Sequence, residues 1–213
     1  MKLAELKFWH QICLRIAVIQ DAVTINQLEN GLIELKFKIN QNEKGIIYRL
    51  SAVLLAHDCS VIHAKIKPLP GGDAEDTFLI KPPDEDKKRI EKVWSDFEDL
   101  QSQRMATLDY LNQFPDKMRA LEHNMFPSRK TRINIEPSTD NLKALLTVTT
   151  PDRLGVLLFI TQTIYLMSLD IANLEARTEK SMAIDSFSIQ TESGESIKPG
   201  ILDKLKQLIF MQL

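Results

Sequence analysis

In Asp185-Ser186-Phe187-Ser188-Ile189 the last four residues alternate polar and apolar, and Asp76-Thr77-Phe78-Leu79-Ile80 repeats the same acidic-x-Phe-x-Ile pattern about 110 residues earlier. Period-two alternation of this kind marks a strand with one face buried. A strand that occurs twice points to a fold that occurs twice. Upstream, a glycine that opens an apolar helical pattern stands at Gly45 and again at Gly155. Fifteen residues after each glycine a further strand begins, Ser60-Val61-Ile62-His63-Ala64-Lys65-Ile66 and Asp170-Ile171-Ala172-Asn173-Leu174-Glu175-Ala176. Turns at residues 68–72 and 179–181 lead from these into the acidic-x-Phe-x-Ile strands.

The correspondence extends to both sides. Val23-Thr24-Ile25-Asn26 and Ile133-Asn134-Ile135-Glu136 alternate, and turn-rich residues 27–31 and 137–141 follow them. Asn30-Gly31 is a strong hairpin signal because both residue types tolerate positive φ. Leu35, Phe37 and Ile39 then match Leu146 and Val148 as the next strand. Ile47, Leu50 and Leu54 share one helix face, as do Leu157, Ile160, Ile164 and Met167. Closing helices carry Ile90, Val93, Trp94 and Phe97 in one copy and Ile201, Leu205, Leu208 and Ile209 in the other. Each copy reads ββαββα. The expected class is α+β, two ferredoxin-like sandwiches, each a four-stranded antiparallel sheet with helices on one face. The first strand of each copy supplies the sheet position that a βαββαβ fold fills from its C-terminal end.

This reading divides the chain into an N-terminal helical segment (1–21), a divergent first domain (22–104), a helical linker (105–130) and a second domain (131–213). Pro115 is well placed to start a helix in the linker. The charged residues 84–92 read as a solvated helix face, and Met105, Met118 and Met125 as gap-filling core.

The bulk composition sets limits. A chain of 213 residues with 44% hydrophobic and 26% charged residues is ordinary for a globular protein, and a formal net charge of −2 gives it no general pull toward nucleic acid or anionic lipid. No apolar run approaches the roughly 18 residues of a membrane span. Lys2, Glu5 and Lys7 interrupt any signal-peptide pattern. Cys13 and Cys59 form no close-spaced motif, so a reduced, cytoplasmic setting is the default, with pairing of the two left open.

Thr150-Pro151-Asp152-Arg153-Leu154-Gly155-Val156-Leu157 is the sharpest local signal. It joins a strand to a helix, so its glycine brings backbone N–H groups to a helix N-terminus, where the dipole favours a carboxylate. Asp152 and Asp170 are the candidate partners of an ammonium group, and together these residues make an α-amino-acid clamp. The plainer reading makes the loop a structural turn with Asp152 as N-cap and Asp170 a solvated strand start. In the first copy the loop reads Asn40-Gln41-Asn42-Glu43-Lys44-Gly45, with Ser60 in place of Asp170, and strand phase makes it one residue shorter. Asn42, Gly45, Ile46 and Ser60 are therefore the weaker site, unless unlike halves share one. Cys59 and His63 fall on one strand face, yet Asp58-Cys59 reads as a turn, so no metal is assigned. No cofactor is expected.

The run Asp152-Arg153-Leu154-Gly155-Val156-Leu157, Leu169-Asp170-Ile171, Arg177-Thr178 and Asp185-Ser186-Phe187 resembles the ACT domain. It is most similar to the tandem ACT pair at the C-terminus of the bifunctional uridylyltransferase/uridylyl-removing enzymes that modify the PII signal protein. Arg132-Ile133-Asn134-Ile135-Glu136 resembles the segment leading into the last ACT domain there. The likeness spans roughly residues 23–213 and is stronger in the second copy. It implies a role in nitrogen metabolism: glutamine sensing passed to a regulated partner, with the two copies pairing in the chain and a homodimer beyond. A nucleotidyltransferase would need a Gly-Ser loop and paired metal-binding aspartates, which the chain lacks. His57-Asp58 has no further His and Asp suitably placed for a metal phosphohydrolase, so no enzyme is expected. An interaction module without ligand is the alternative. A third reading, RNA binding, is disfavoured because Phe78 and Phe187 stand singly beside Asp76 and Asp185.

Overall fold

The computed structural model describes residues 24–28, 31–40, 44–69, 73–84, 86–124 and 126–213. The helical segment expected over 1–21, Val23, Cys13, Asn30, Gln41, Asn42, Glu43, Gly72 and Met125 lie outside the described residues.

The first copy contains β1 (Thr24–Gln27), β2 (Ile33–Asn40), α1 (Ile46–Ala56), β3 (Ser60–Pro68), β4 (Asp73–Lys81) and α2 (Lys87–Gln101). Two short helices follow, α3 (Thr107–Leu111) and α4 (Pro115–Asn124). The second copy repeats the order with β5 (Arg132–Pro137), β6 (Lys143–Pro151), α5 (Val156–Leu166), β7 (Leu169–Glu179), β8 (Met182–Thr191) and α6 (Pro199–Gln212). Pro115 begins α4, where its missing N–H costs no hydrogen bond.

All eight strands form one antiparallel sheet in the order β1-β2-β4-β3-β7-β8-β6-β5. The order reads the same from either end, so the copies are related by a pseudo-twofold axis between β3 and β7. Within each copy the hairpin strand, β1 or β5, takes the outer place that the last strand of a βαββαβ fold would occupy. The protein is thus two ferredoxin-like sandwiches of class α+β, joined edge to edge. The join is short. Only His63↔Arg177, Ala64↔Ala176 and Lys65↔Glu175 pair across it, whereas β7 and β8 pair along nearly their whole length.

The alternation decides which side chains meet the helices. Leu35 and Phe37 of β2, Ala64 and Ile66 of β3, and Phe78 and Ile80 of β4 all turn inward and are buried, as are Leu146, Val148, Leu174, Ala176, Phe187 and Ile189 in the second copy. Phe37 stacks on Phe78 and meets Trp94 and Phe97 of α2. Helix α1 touches α2 on one side and α5 on the other, and α5 touches α6. No helix among the described residues is long and apolar enough to cross a membrane.

Two details differ from expectation. Phe37 pairs with Asp76 and Val148 with Asp185, so the path to Gly45 is one residue longer than the path to Gly155, not shorter. Met118 packs against the core, but Met105 is 38% exposed on the turn after α2 and fills no gap.

Candidate functional site

The pseudo-twofold axis creates two related clefts, and each is built from both copies. The larger holds about 360 Å³ and lies under the Gly155 bend. One wall is the strand-to-helix loop of the second copy: Asp152, Arg153, Leu154, Gly155, Val156 and Leu157. The other belongs to the first copy: Ser51, Leu54 and Leu55 of α1, then Ser60, Val61 and Ile62 where β3 begins. A register break between Val61 and His63 swings this strand end, and its counterpart falls between Ile171 and Asn173 in β7.

Gly155 has φ +88°, a left-handed conformation that an L side chain adopts only with strain. A Cβ there would also run into Leu121 of α4, which backs the bend. No side chain caps α5; Val156 N–H donates to Arg153 O at 3.3 Å, while the N–H groups of Leu157 and Leu158 lack intrahelical acceptors and border the cleft with the positive end of the helix dipole. Asp152 is not the N-cap. Its carboxylate accepts from Thr178 Oγ1 at 3.2 Å, and its backbone N–H donates to Ser181 O.

Arg153 lines the cleft but holds the scaffold together. Its guanidinium donates to the carbonyls of Asn124, Phe126 and Leu213 and lies 4.5 Å from the Phe126 ring centroid. Only its buried Nε–H is left without a partner. Thr150 faces the core: it is fully buried and shares a 2.7 Å hydrogen bond with Thr131.

Asp170 does not join Asp152. The antiparallel β3–β7 join carries it to the second cleft, facing Gly45 and Ile46, while Ser60 takes the corresponding place opposite Gly155. Burial raises the Asp170 carboxyl above its ordinary range. This second cleft holds about 60 Å³. Tyr165 of α5 fills it, because a Cβ on Gly45 would stand 2.7 Å from its ring. Tyr48 lies beside that ring, with centroids 5.4 Å apart. The unlike halves thus share both clefts, and only the one under Gly155 has room for a small molecule.

Two polar floor residues of the larger cleft went unassigned in the sequence, Ser51 and Asp185. Ser51 is 5% exposed and its Oγ has no hydrogen-bond partner. Asp185 is 4% exposed; burial, aided by the nearby Asp152 charge, raises its carboxyl to about 7 against an offset from Arg177. Its counterpart in the smaller cleft, Asp76, is 2% exposed and raised by burial to about 7, with Oδ1 unpartnered. The signal was present: in Ala183-x-Asp185-x-Phe187-x-Ile189 the acid stands in phase with the core. Cys59 is a free, buried thiol raised by burial to about 11, so it stays protonated at neutral pH. Among the described residues no group of three or more His, Cys, Asp and Glu is placed to hold a metal ion.

No protein-family model matches the chain, and no curated protein matches it. Three of the solved structures similar to it are as follows. Aspartate kinase from Synechocystis aligns with TM-score 0.45 at 7% identity over 84% of this chain, which spans only 26% of the kinase chain. An unknown protein from Galdieria sulphuraria aligns with TM-score 0.28 at 15% identity, over 84% of this chain and 89% of that one. A candidate glycine cleavage system transcriptional repressor aligns with TM-score 0.29 at 16% identity, over 83% and 89%. The architecture rests on the chain's own strand order: a tandem pair of ferredoxin-like sandwiches with a shared cleft between them.

Proposed function

We propose that this protein is a non-catalytic sensor of the ACT type. A small carboxylate ligand, an amino acid with glutamine foremost, would bind in the cleft under Gly155 and alter the protein's contacts with a regulated partner. The observation that carries the reading is the composition of that cleft. The Leu157 and Leu158 N–H groups on one side meet the unpartnered Ser51 hydroxyl and the buried Asp185 carboxyl below, in a space of about 360 Å³ made by both copies. The carboxylate end suits the first turn of α5. The residues proposed to border the ligand are Asp152, Leu154, Gly155, Val156 and Leu157 with Ser60, while Arg153 holds the loop.

Among the described residues of the cleft, the Cys59 thiol is raised by burial and stays protonated, so it offers no activated nucleophile. Base stacking on the central strands is blocked, because Phe78 and Phe187 are fully buried beneath the helices. The closed Gly45 bend favours one competing reading, a docking module that needs no ligand. Isothermal titration against the twenty amino acids separates the two. The sensor reading expects saturable binding of at least one at millimolar concentration or below; silence across the panel, with a partner captured regardless of ligand, selects the docking module. The likeness to the ACT pair of the uridylyltransferase enzymes makes a nitrogen-metabolism enzyme the partner to try first and a homodimer the assembly to look for.

A further inference from the structure

Ser51 and Asp185 occupy core positions that apolar residues would fill at lower cost, and the loop above them does not explain either. We propose that together they form an ammonium-selecting subsite on the floor of the cleft, restricting its ligands to carboxylates that also carry a primary amine; this rests on the sensor reading above. The neighbouring inward positions on β8 are Ala183, Phe187 and Ile189, all buried. An acid among them is costly until a donor or a cation reaches it. The protein supplies little. The nearby cation, Arg177, turns its guanidinium to Glu179 at 2.8 Å and Glu175 at 3.7 Å on its own strand. The Ser51 hydroxyl has no partner at all. A carboxylate and a free hydroxyl suit an ammonium group, which brings three donors. Opposite them, the α5 N-terminus suits an anion. The two charged ends of an amino acid therefore meet unlike partners: its carboxylate the α5 N-terminus, its ammonium the pair formed by Ser51 of one copy and Asp185 of the other.

The twin cleft provides an internal control. Asp76 occupies the equivalent strand position, but the place of Ser51 is taken by Thr161, whose hydroxyl already donates to the carbonyls of Leu157 and Leu158. Tyr165 also closes the bend above.

Calorimetric titration of the intact protein tests the subsite, with the twenty amino acids, their 2-hydroxy acid analogues and methylammonium as probes. Wild type is expected to prefer an amino acid over its 2-hydroxy analogue by roughly tenfold or more. Asp185→Asn should lose most of that preference and Ser51→Ala part of it, while Asp76→Asn keeps it. Thermal melts confirm that each variant is folded. Equal binding of amino acid and hydroxy acid by wild type overturns the subsite and leaves the sensor standing. So does an Asp185→Asn variant that discriminates as well as Asp76→Asn. Wild-type silence to every probe overturns both.

Discussion

Asp76 and Asp185 stand where the strand alternation demands a core residue, and each is buried with its carboxyl raised to about 7. An unfolded aspartate titrates at about 3.9. Between these values the folded chain keeps protons that the unfolded chain has released. Stability is therefore fullest at the acidic end, falls as pH rises through the window and levels off above about 7. Each carboxyl contributes a slope of up to about 1.4 kcal/mol per pH unit. Wild type is expected to melt higher at pH 5 than at pH 8, and the Asp76→Asn/Asp185→Asn double variant to show a smaller difference. Parallel melting profiles would mean the two carboxyls titrate normally. Both acids were visible in the sequence as part of a repeated strand. Their lack of hydrogen-bond partners was not, because alternation says which way a side chain points and not whether a partner awaits it.

At the scale of elements, the helices between the copies are tied down by polar contacts that no sequence pattern announces. His57 at the end of α1, Asp96 of α2 and Tyr110 of α3 meet in one buried cluster. Asp96 accepts from Tyr110 at 2.9 Å, pairs with His57 at 2.8 Å and takes Lys92 on its other oxygen. Burial pushes the Asp96 carboxyl upward, but the hydrogen bonds from Lys92, His57 and Tyr110 outweigh it and hold it below its ordinary value. A carboxyl lowered in this way stabilises the fold above its unfolded pKa and loses that effect only as pH falls below it. Removing it strips two buried partners, His57 and Tyr110, of their carboxylate, while the exposed Lys92 turns to water. Asp96→Ala is expected to cost about 3 kcal/mol and Tyr110→Phe about 1 kcal/mol in urea unfolding. Equal, small losses would show the cluster to be solvated. Arg153 plays the same part for α4, binding the carbonyls of its last residue, Asn124, and of Phe126 just beyond it. From sequence, Arg153 belonged with the ligand because it sits in the loop. Only the packed structure shows that its guanidinium reaches backward to the linker.

For the whole molecule, the ββαββα repeat was legible in full because strand and helix periods differ and both occur twice. The grouping of site residues was not. Asp152 and Asp170 are neighbours in sequence logic, yet the antiparallel join of β3 to β7 gives each loop to the other copy's strand. No local pattern encodes which edges meet. The same join makes the cleft a place where a ligand would bind both halves at once, alongside a seam of three residue pairs. Amide chemical-shift mapping of the labelled protein during titration with its best amino acid tests this claim most directly. The account predicts that Val156, Leu157 and Leu158 move together with Ser51 and Ser60, on one saturation curve. Shifts confined to a single copy, or clustered around Gly45 instead, would contradict it.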